Sequence, residues 1–253
     1  MRTMCVSGAA SGIARALSEK LRADGNRVIS VDRRDADVIA DLSTADGRAS
    51  AIAAVLEMSG GRLDGVAALA GVGPQVGAVA QATVNYFGAV SLLEGLHSAL
   101  QRGENPAAIV ASSIAATVAP CNDAIIDAML SGDELSAIEL SEKLGDGGVG
   151  YSTSKRALAI YVRRNAPAWI ADGIRLNALA PGNAHTGLTK GALADPQFGP
   201  MMESVPVPRG SWAQPEEIAS AAHWALSPAA GFMVGSFFVV DGGTDALVRP
   251  DAF

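Results

Sequence analysis

Short apolar runs alternate with longer amphipathic stretches along the whole chain. The apolar runs have the length and composition of strands, and the stretches between them place apolar residues at helical spacing. The predicted strands are Met4–Ser7, Val28–Val31, Val66–Leu69, Ala107–Ala111, Arg175–Leu179 and Ser236–Val240. Such alternation indicates parallel strands joined by right-handed helical crossovers. The pattern therefore predicts an α/β fold with one doubly wound parallel sheet, and ligands at the carboxyl ends of its strands.

Length and composition fit a single domain with a well-buried core. The 253 residues suit one α/β domain, residues 1–253, without repeats or linkers. Hydrophobic residues make up 49% and charged residues 18%, which favours strands buried on both faces over disorder. No apolar run reaches the roughly 18 residues that a membrane span needs. We therefore expect no membrane partner.

Charge and cysteine content argue against two further classes of protein. A net charge of −7, with no basic stripe among aromatic residues, disfavours nucleic-acid binding. Cys5 and Cys121 lack metal-like spacing, so we expect reduced thiols and no metal site. The start, Met1-Arg2-Thr3, enters a strand directly and lacks the apolar region of a signal peptide. The predicted location is the cytoplasm.

A glycine-rich turn joins the first predicted strand to the first predicted helix. Gly8, Ser11, Gly12 and Ile13 lie in this turn, and the helical pattern continues to Arg22. Glycines let backbone amides approach a pyrophosphate, and the helix N-terminus adds a partial positive charge. Ser11 would cap the helix or contact the phosphate. A tight turn without a ligand is the alternative for the glycines alone.

Asp32 follows the second predicted strand, about 20 residues beyond the glycines, where an acid can bind an adenosine ribose. The same carboxylate would repel a 2′-phosphate, which favours NAD over NADP. Arg33 and Arg34 follow at once and weaken that preference. An arginine can stack on adenine or hold the phosphate.

Tyr151 and Lys155 are four residues apart, which places them on one face of a helix. A tyrosine accepts a proton near neutral pH only if its pKa falls from about 10 by roughly 3 units. One ammonium at about 4 Å supplies that much at an effective dielectric near 20. The pair predicts a phenol with a lowered pKa, although the same spacing also occurs by accident on surface helices.

Several motifs of the chain together resemble the short-chain dehydrogenase/reductase family. In chain order they are Gly8-x-x-x-Gly12-Ile13, Asp32, Ala70-Gly71, Asn85, Ser113, Tyr151-x-x-x-Lys155 and Pro181-Gly182. The resemblance runs from end to end and implies a Rossmann-type fold. Within the family, the stretches Asp35–Ala45, Val84–Gly88 and Val240–Asp245 resemble the bacterial 3α-hydroxysteroid dehydrogenase/carbonyl reductase type.

The resemblance implies four catalytic residues. Tyr151 would exchange the proton, and Ser113 would hydrogen-bond the substrate oxygen. Lys155 would lower the tyrosine pKa and hold the nicotinamide ribose. Ser112 also follows the strand, but the resemblance selects Ser113. Asn85 would hold a water in the proton-relay path, and a satisfied structural role is the alternative.

The resemblance also implies a NAD site, with NADP the less favoured cofactor. Thr186 would bond the nicotinamide carboxamide. The implied cofactor-binding residues are Gly8, Ser11, Gly12, Ile13, Asp32, Arg33, Asp41, Leu42, Ala70, Gly71, Tyr151, Lys155, Pro181, Gly182 and Thr186.

The chain departs from the family between Ser113 and Tyr151, where relatives have a much shorter segment. Apolar residues recur at helical intervals on both sides of Ser131-Gly132, which predicts a helical insertion at about 116–148. Seven acids and one base give this segment a charge of −6. A solvated acidic face is the simplest interpretation. We also expect the insertion to wall the substrate cleft and to change subunit pairing, with a homodimer favoured over a tetramer.

Ala14 stands where relatives usually have the third glycine of the turn. The added methyl group would clash or strain the backbone if this position needs a positive φ, and it would be harmless in helical backbone. Because position 14 follows Ile13 inside the predicted helix, we expect NAD binding to be tolerated. A weakened affinity is the alternative.

These features predict an oxidoreductase that transfers hydride between NAD(H) and a secondary alcohol or ketone on an apolar small molecule. A hydroxysteroid or other bulky carbonyl compound is the first expected substrate. An aromatic or terpenoid alcohol, of the coniferyl-alcohol type, is the alternative. A non-catalytic dinucleotide sensor is a third interpretation, and the joint presence of Ser113, Tyr151 and Lys155 argues against it.

Overall fold

One parallel sheet of seven strands forms the centre of the protein, as seen in a computed structural model that describes residues 1–252. The strand order is β3-β2-β1-β4-β5-β6-β7. The strands are β1 Thr3–Ser7, β2 Arg27–Asp32, β3 Val38–Ile39, β4 Gly65–Ala68, β5 Ala107–Ala111, β6 Arg175–Pro181 and β7 Phe237–Val240. All six predicted strands are present, and the predicted fold class is confirmed. The two-residue β3 was not predicted, because two residues are too short to show a pattern.

Helices follow most of the strands. The α-helices are α1 Gly12–Ala23, α2 Ala45–Ser59, α3 Ala78–Ala80, α4 Ala89–Gln101, α5 Ala115–Val118, α6 Asp123–Leu130, α7 Glu134–Leu144, α8 Gly147–Ala171, α9 Gly187–Leu193, α10 Phe198–Ser204, α11 Pro215–Leu226 and α12 Thr244–Val248. Shorter turns of 3-10 helix lie at Pro74–Val76 and Pro228–Ala230, and a π-helical segment covers Gln81–Gly88. Within residues 1–252, none of the helices is long and apolar enough to cross a bilayer.

Two apolar cores lie on the two faces of the sheet. Along β1, Cys5 belongs to one buried cluster, whereas Met4 and Val6 belong to the other. This alternation follows from the two-residue period of a strand. A strand buried on both faces therefore needs apolar residues at every position, which is why the strands appeared as continuous apolar runs.

The chain order of the sheet reverses next to β1. This strand pairs with β2 on one side and with β4 on the other, all in parallel. Such a reversal leaves a crevice outside the carboxyl ends of the two strands, where ligands of open α/β sheets bind. Ser7, at the end of β1, is in register with Val31 and with Ala68. The crevice therefore begins at these three residues.

The insertion forms two helices, α6 and α7, separated at Ser131-Gly132 as predicted. Side-chain oxygens cap the N-termini of both helices. Asn122 caps α6 by accepting from Ile125 N at 3.1 Å, and Asp133 caps α7 by accepting from Ser136 N at 3.0 Å. Asp146 caps α8 in the same way, accepting from Gly148 N at 2.7 Å. Two of the seven acids of the insertion, Asp133 and Asp146, thus stabilise helix N-termini. A solvated acidic face therefore accounts for only some of these acids.

Candidate active site

A cleft of about 540 Å³ opens at the carboxyl ends of β1, β2 and β4. Eleven of the implied cofactor-binding residues line it: Gly8, Ser11, Gly12, Ile13, Asp32, Arg33, Asp41, Leu42, Ala70, Gly71 and Thr186. The structure therefore brings together residues from five separate parts of the chain.

The glycine turn has a backbone that only glycine adopts easily. Gly8 has φ +77° and Gly12 has φ +55°. A Cβ atom on Gly8 would lie 2.9 Å from Ala70 Cα, closer than such atoms approach. Ser11 precedes α1 in extended backbone, and its side chain makes no capping hydrogen bond within residues 1–252. Of the two roles expected for Ser11, the capping role is therefore not seen.

Asp32 lies at the end of β2, and its carboxylate connects two loops at the edge of the cleft. Oδ2 accepts from Ala10 N at 3.1 Å and Oδ1 accepts from Arg33 N at 2.7 Å. The carboxylate therefore fixes the glycine turn relative to β2. Arg33 and Arg34 line the same end of the cleft.

The cleft fits a dinucleotide on its own geometry. The turn at Gly8 leaves no room for a side chain, and the twelve-residue helix α1 begins directly behind it. A helix start and exposed turn amides bind phosphate groups, and an acid at the end of the next strand binds a ribose. Ala14 is helical and buried inside α1, which is the case in which its methyl group is tolerated.

Tyr151, Lys155 and Ser113 lie close together beside Gly71. Gly71 lines the cleft, whereas within residues 1–252 Tyr151 and Lys155, although implied as cofactor-binding residues, do not line it. Tyr151 and Lys155 lie on α8, and Ser113 follows β5. Lys155 Nζ donates a hydrogen bond to the Ala111 carbonyl at 2.7 Å and lies 5.6 Å from the centroid of the Tyr151 ring. Ser113 lies near enough to Tyr151 for its hydroxyl to act on the pKa of the phenol. These residues are 38 and 42 positions apart from Ser113 in the chain, and only the fold brings them together.

The pKa of Tyr151 is shifted in the direction opposite to the prediction. Burial raises the pKa of the Tyr151 phenol, and the nearby Ser113 hydroxyl offsets this only in part. Burial also lowers the pKa of Lys155 to about 8. The predicted lowering of the tyrosine pKa by Lys155 is therefore wrong for this structure. The reason is that removal from water disfavours the charged form of both groups, while the ammonium is hydrogen-bonded to a backbone carbonyl.

Asn85 lies in the π-helical segment Gln81–Gly88 and is 0% exposed. Its Oδ1 accepts from Val72 N at 2.8 Å, and its Nδ2 donates to Val72 O and to Ser154 Oγ, both at 3.2 Å. The side chain therefore ties the loop after β4 to α8, which favours the structural alternative. π-Helical turns are rare and often lie at functional sites.

Gly71 connects the cleft to this cluster. A Cβ atom on Gly71 would lie 3.1 Å from Asn85 Oδ1 and 3.5 Å from Lys155 Nζ. A ligand in the cleft that passes Gly71 would therefore meet Lys155 and then Tyr151.

Pro181 and Gly182 are not brought to the cleft as the resemblance implied. In the part of the chain that the structure describes, neither residue is among those that line it. Gly182 packs against Asp241, and the Pro181 carbonyl accepts from Ile114 N at 3.1 Å. Both residues thus hold the end of β6 against its neighbours. Thr186 does line the cleft, but its hydroxyl also caps α9 by accepting from Thr189 N at 3.2 Å.

Several functional groups at the site left no signal in the sequence. The Ala111 carbonyl, which holds Lys155, is a backbone atom of an ordinary strand. Ser112 donates to the Lys155 carbonyl at 2.7 Å and thereby fixes α8 to β5. Val72, in the loop after β4, and Leu188, in the first turn of α9, line the cleft from segments whose sequences are not distinctive. Only their spatial neighbours reveal their role.

Two bacterial hydroxysteroid dehydrogenases are similar to this chain over their whole length. The "3-alpha-hydroxysteroid dehydrogenase/carbonyl reductase" of Comamonas testosteroni is 41% identical, covering 100% of both chains. The crystal structure of the 3-alpha-hydroxysteroid dehydrogenase from Pseudomonas sp. B-0831, complexed with NADH, is 44% identical. It superposes with a TM-score of 0.97 over 99% of this chain and 100% of that one.

Two further comparisons widen the range of relatives. The 2,5-dichloro-2,5-cyclohexadiene-1,4-diol dehydrogenase of Sphingobium indicum is 30% identical, covering 97% of this chain and 98% of its own. The profile of the enoyl-(acyl carrier protein) reductase family matches residues 134–245. Full-length identity of this kind confirms the predicted family. The chain belongs to the short-chain dehydrogenase/reductase family.

Proposed function

We propose that the chain interconverts a secondary alcohol and a ketone on an apolar substrate, a 3-hydroxysteroid first, with NAD(H) as cofactor. The observation that carries this proposal is the group of Ser113, Tyr151 and Lys155, which lies next to Gly71 in the wall of a dinucleotide-shaped cleft. The nicotinamide supplies or takes the hydride when NAD(H) is bound. Everything else in the reaction is assigned to side chains of the chain itself.

Tyr151 moves the proton. In the direction of ketone reduction its phenol donates to the carbonyl oxygen while hydride reaches the carbonyl carbon, and in oxidation both steps reverse. Ser113 donates a hydrogen bond to the same oxygen. A phenol whose pKa is raised by burial is neutral at physiological pH and therefore ready to donate. Lys155, with its pKa lowered to about 8, can take up and release a proton near that pH and resupply the tyrosine.

Asp32 supports NAD as the preferred cofactor. Its carboxylate lines the cleft at the end of β2, where a 2′-phosphate would be repelled. The Pseudomonas relative, in which NADH is bound, supports the same choice. Asn85 takes a positioning role in this proposal, because its polar atoms all bind protein groups.

A substrate panel tests the proposal. Purified protein is offered NAD or NADP together with 3-hydroxysteroids and with simpler aromatic, terpenoid and alicyclic alcohols, and NADH formation is followed at 340 nm. Turnover of a steroid with NAD is the expected result. Turnover of only the smaller alcohols would replace the substrate class. NADH binding without any turnover would favour a dinucleotide sensor and contradict the proposal.

A homodimer in the cytoplasm completes the proposal. β7 is an edge strand, and the apolar side chains of Trp224, Phe232 and Val239, the last of them on β7, are exposed. Cys5 and Cys121 are free thiols, and burial raises the pKa of Cys5 to about 12. Light scattering at micromolar concentration should give twice the chain mass of 25.7 kDa. A monomer would contradict the dimer, and recovery outside the cytoplasmic fraction would contradict the location.

A further inference from the structure

An ion pair joins the insertion to the wall of the cofactor cleft. Arg48, on α2, places Nη2 2.5 Å from Oε2 of Glu134, the first residue of α7. The Arg48 side chain is 7% exposed and that of Glu134 is 30% exposed. Water screens such a pair poorly, so loss of either partner leaves a charge in a partly buried place.

The same guanidinium reaches the segment that lines the cleft. Arg48 Nη1 donates to the Leu42 carbonyl at 3.4 Å and to the Ser43 carbonyl at 3.5 Å. Leu42 and its neighbour Asp41 both line the cleft. One side chain thus connects an insertion that does not line the cleft, within residues 1–252, with two residues that do.

Leu42 is held by core packing as well as by Arg48, since its side chain is 5% exposed and belongs to an apolar core. Its Cβ and carbonyl oxygen lie 3.2 Å from where a Cβ atom on Gly88 would stand, at the end of the π-helical segment. On the other side, the Asp41 carbonyl packs so closely on Gly47 that a side chain there would overlap it. Arg48 connects this segment to the insertion, because it contacts both Glu134 and the Leu42 and Ser43 carbonyls.

This segment belongs to the adenosine end of the cleft. Ala40 N donates to the Asp32 carbonyl at 2.9 Å, so the chain that leads into Asp41 runs beside Asp32. Gly71, which also lines the cleft, lies instead next to Asn85 and Lys155. A displacement of Leu42 would therefore affect nucleotide binding more than the chemical step.

We propose that Glu134 acts through Arg48 as a positioning residue for the cofactor. The insertion holds the Asp41–Ser43 segment in place at the adenosine end, and the affinity for NAD(H) depends on this ion pair. The inference rests on the proposed function only for the identity of the ligand. It gives the insertion a role in cofactor binding although none of its described residues touches the cleft.

Direct titration of full-length protein with NADH, followed by NADH fluorescence, tests this role. Arg48→Met should raise the Kd about tenfold and Glu134→Gln about threefold. The double variant should resemble Arg48→Met alone, because the two residues act through one contact. Arg48→Lys should fall between wild type and Arg48→Met, since an ammonium can pair with Glu134 but has no second nitrogen for Leu42. At saturating NAD, kcat should stay within about twofold of wild type, so that the effect appears in KM.

Glu139→Gln is the matched control. Glu139 lies on the same helix, is exposed, and loses the same charge on substitution. Its variant should bind NADH as wild type does. Hydrogen exchange of the amides of residues 42–44 should be faster in Arg48→Met and unchanged in Glu139→Gln, a readout that needs neither substrate nor turnover.

The outcomes distinguish a failure of the positioning role from a failure of the proposed function. Wild-type affinity in both Arg48→Met and Glu134→Gln would overturn the positioning role while leaving the proposed function intact. An equal loss in Glu139→Gln, or additive effects in the double variant, would also overturn it. Wild-type protein that binds no NADH would overturn the proposed function itself. If Arg48→Met does not fold, Glu134→Gln carries the test, because Glu134 is partly exposed.

Discussion

The nucleotide side and the catalytic side of the site use different chemical groups. On the nucleotide side, between β1, β2 and β4, the ligand-facing groups are backbone amides, glycines and the partly exposed carboxylate of Asp32. On the catalytic side, the groups are side chains inside the protein: Lys155 is 4% exposed and Ser113 is 8% exposed. The nucleotide side therefore depends on backbone conformation, and the catalytic side depends on the removal of its side chains from water.

This difference decides how each half responds to change. A backbone site is broken by an added side chain and is insensitive to pH, because amides do not titrate. A buried side-chain site tolerates changes at a distance but responds to pH, because burial shifts the pKa values of its groups. The predictions below use one half as the control for the other.

The largest effect on cofactor affinity is expected for Gly8→Ala. Alanine is strained at φ +77°, and its Cβ atom would lie 2.9 Å from Ala70 Cα in the wall of the cleft. NADH affinity should fall about a hundredfold, or ~2.7 kcal/mol. Gly25→Ala is the control, since Gly25 has φ +79° with nothing within 4 Å; it should cost about 1 kcal/mol of unfolding free energy and leave NADH affinity unchanged. Equal losses of affinity in the two variants would contradict the account of the turn.

The pH dependence of stability should reveal the buried lysine. The pKa of Lys155 is lowered from 10.5 to about 8 in the folded protein, so between these values the unfolded chain binds more protons and stability rises with pH. Relative to Lys155→Met, wild type should gain about 2 kcal/mol of unfolding free energy between pH 8 and pH 10. Denaturant unfolding at each pH measures this. Parallel pH profiles for the two proteins would show that the ammonium is not desolvated.

Asp32→Asn should change the choice of cofactor. Without its negative charge, Arg33 and Arg34 at the same end of the cleft can hold a 2′-phosphate. The preference for NAD over NADP, expressed as the ratio of kcat/KM values, should fall about tenfold. Asp123→Asn, on the exposed start of α6, removes the same charge far from Asp32 and should leave the ratio unchanged. An unchanged ratio in Asp32→Asn would remove Asp32 as the selector.

The smallest effect is expected for Ala14→Gly. Ala14 is helical and buried, so glycine should lower the unfolding free energy by about 1 kcal/mol. NADH affinity should change less than about twofold. A clear gain in affinity would show that the methyl group obstructs the cofactor.

The parts of the molecule that could be predicted from the sequence are those set by local patterns. Strands appeared as apolar runs, α6 and α7 as helical spacing with a break at Ser131-Gly132, and the nucleotide side as glycines and an acid. Each of these depends on residues close together in the chain.

What could not be predicted depends on contacts between distant residues. The π-helical segment around Asn85, the Ala111 carbonyl that binds Lys155 and the Arg48–Glu134 pair have no local pattern. The predicted direction of the Tyr151 pKa shift was wrong for the same reason. The spacing of Tyr151 and Lys155 predicts their attraction, but only the fold shows that Lys155 is buried, that Tyr151 is partly buried, and that desolvation is the larger effect on both pKa values.

The most direct test of the central claim is Tyr151→Phe, which removes one hydroxyl from the catalytic side and leaves the nucleotide side untouched. NADH titration and steroid oxidation at 340 nm are measured on the same preparation. We expect wild-type NADH affinity within about twofold and a loss of kcat of about a thousandfold. Turnover that survives the substitution would contradict the assignment of Tyr151 as the group that moves the proton.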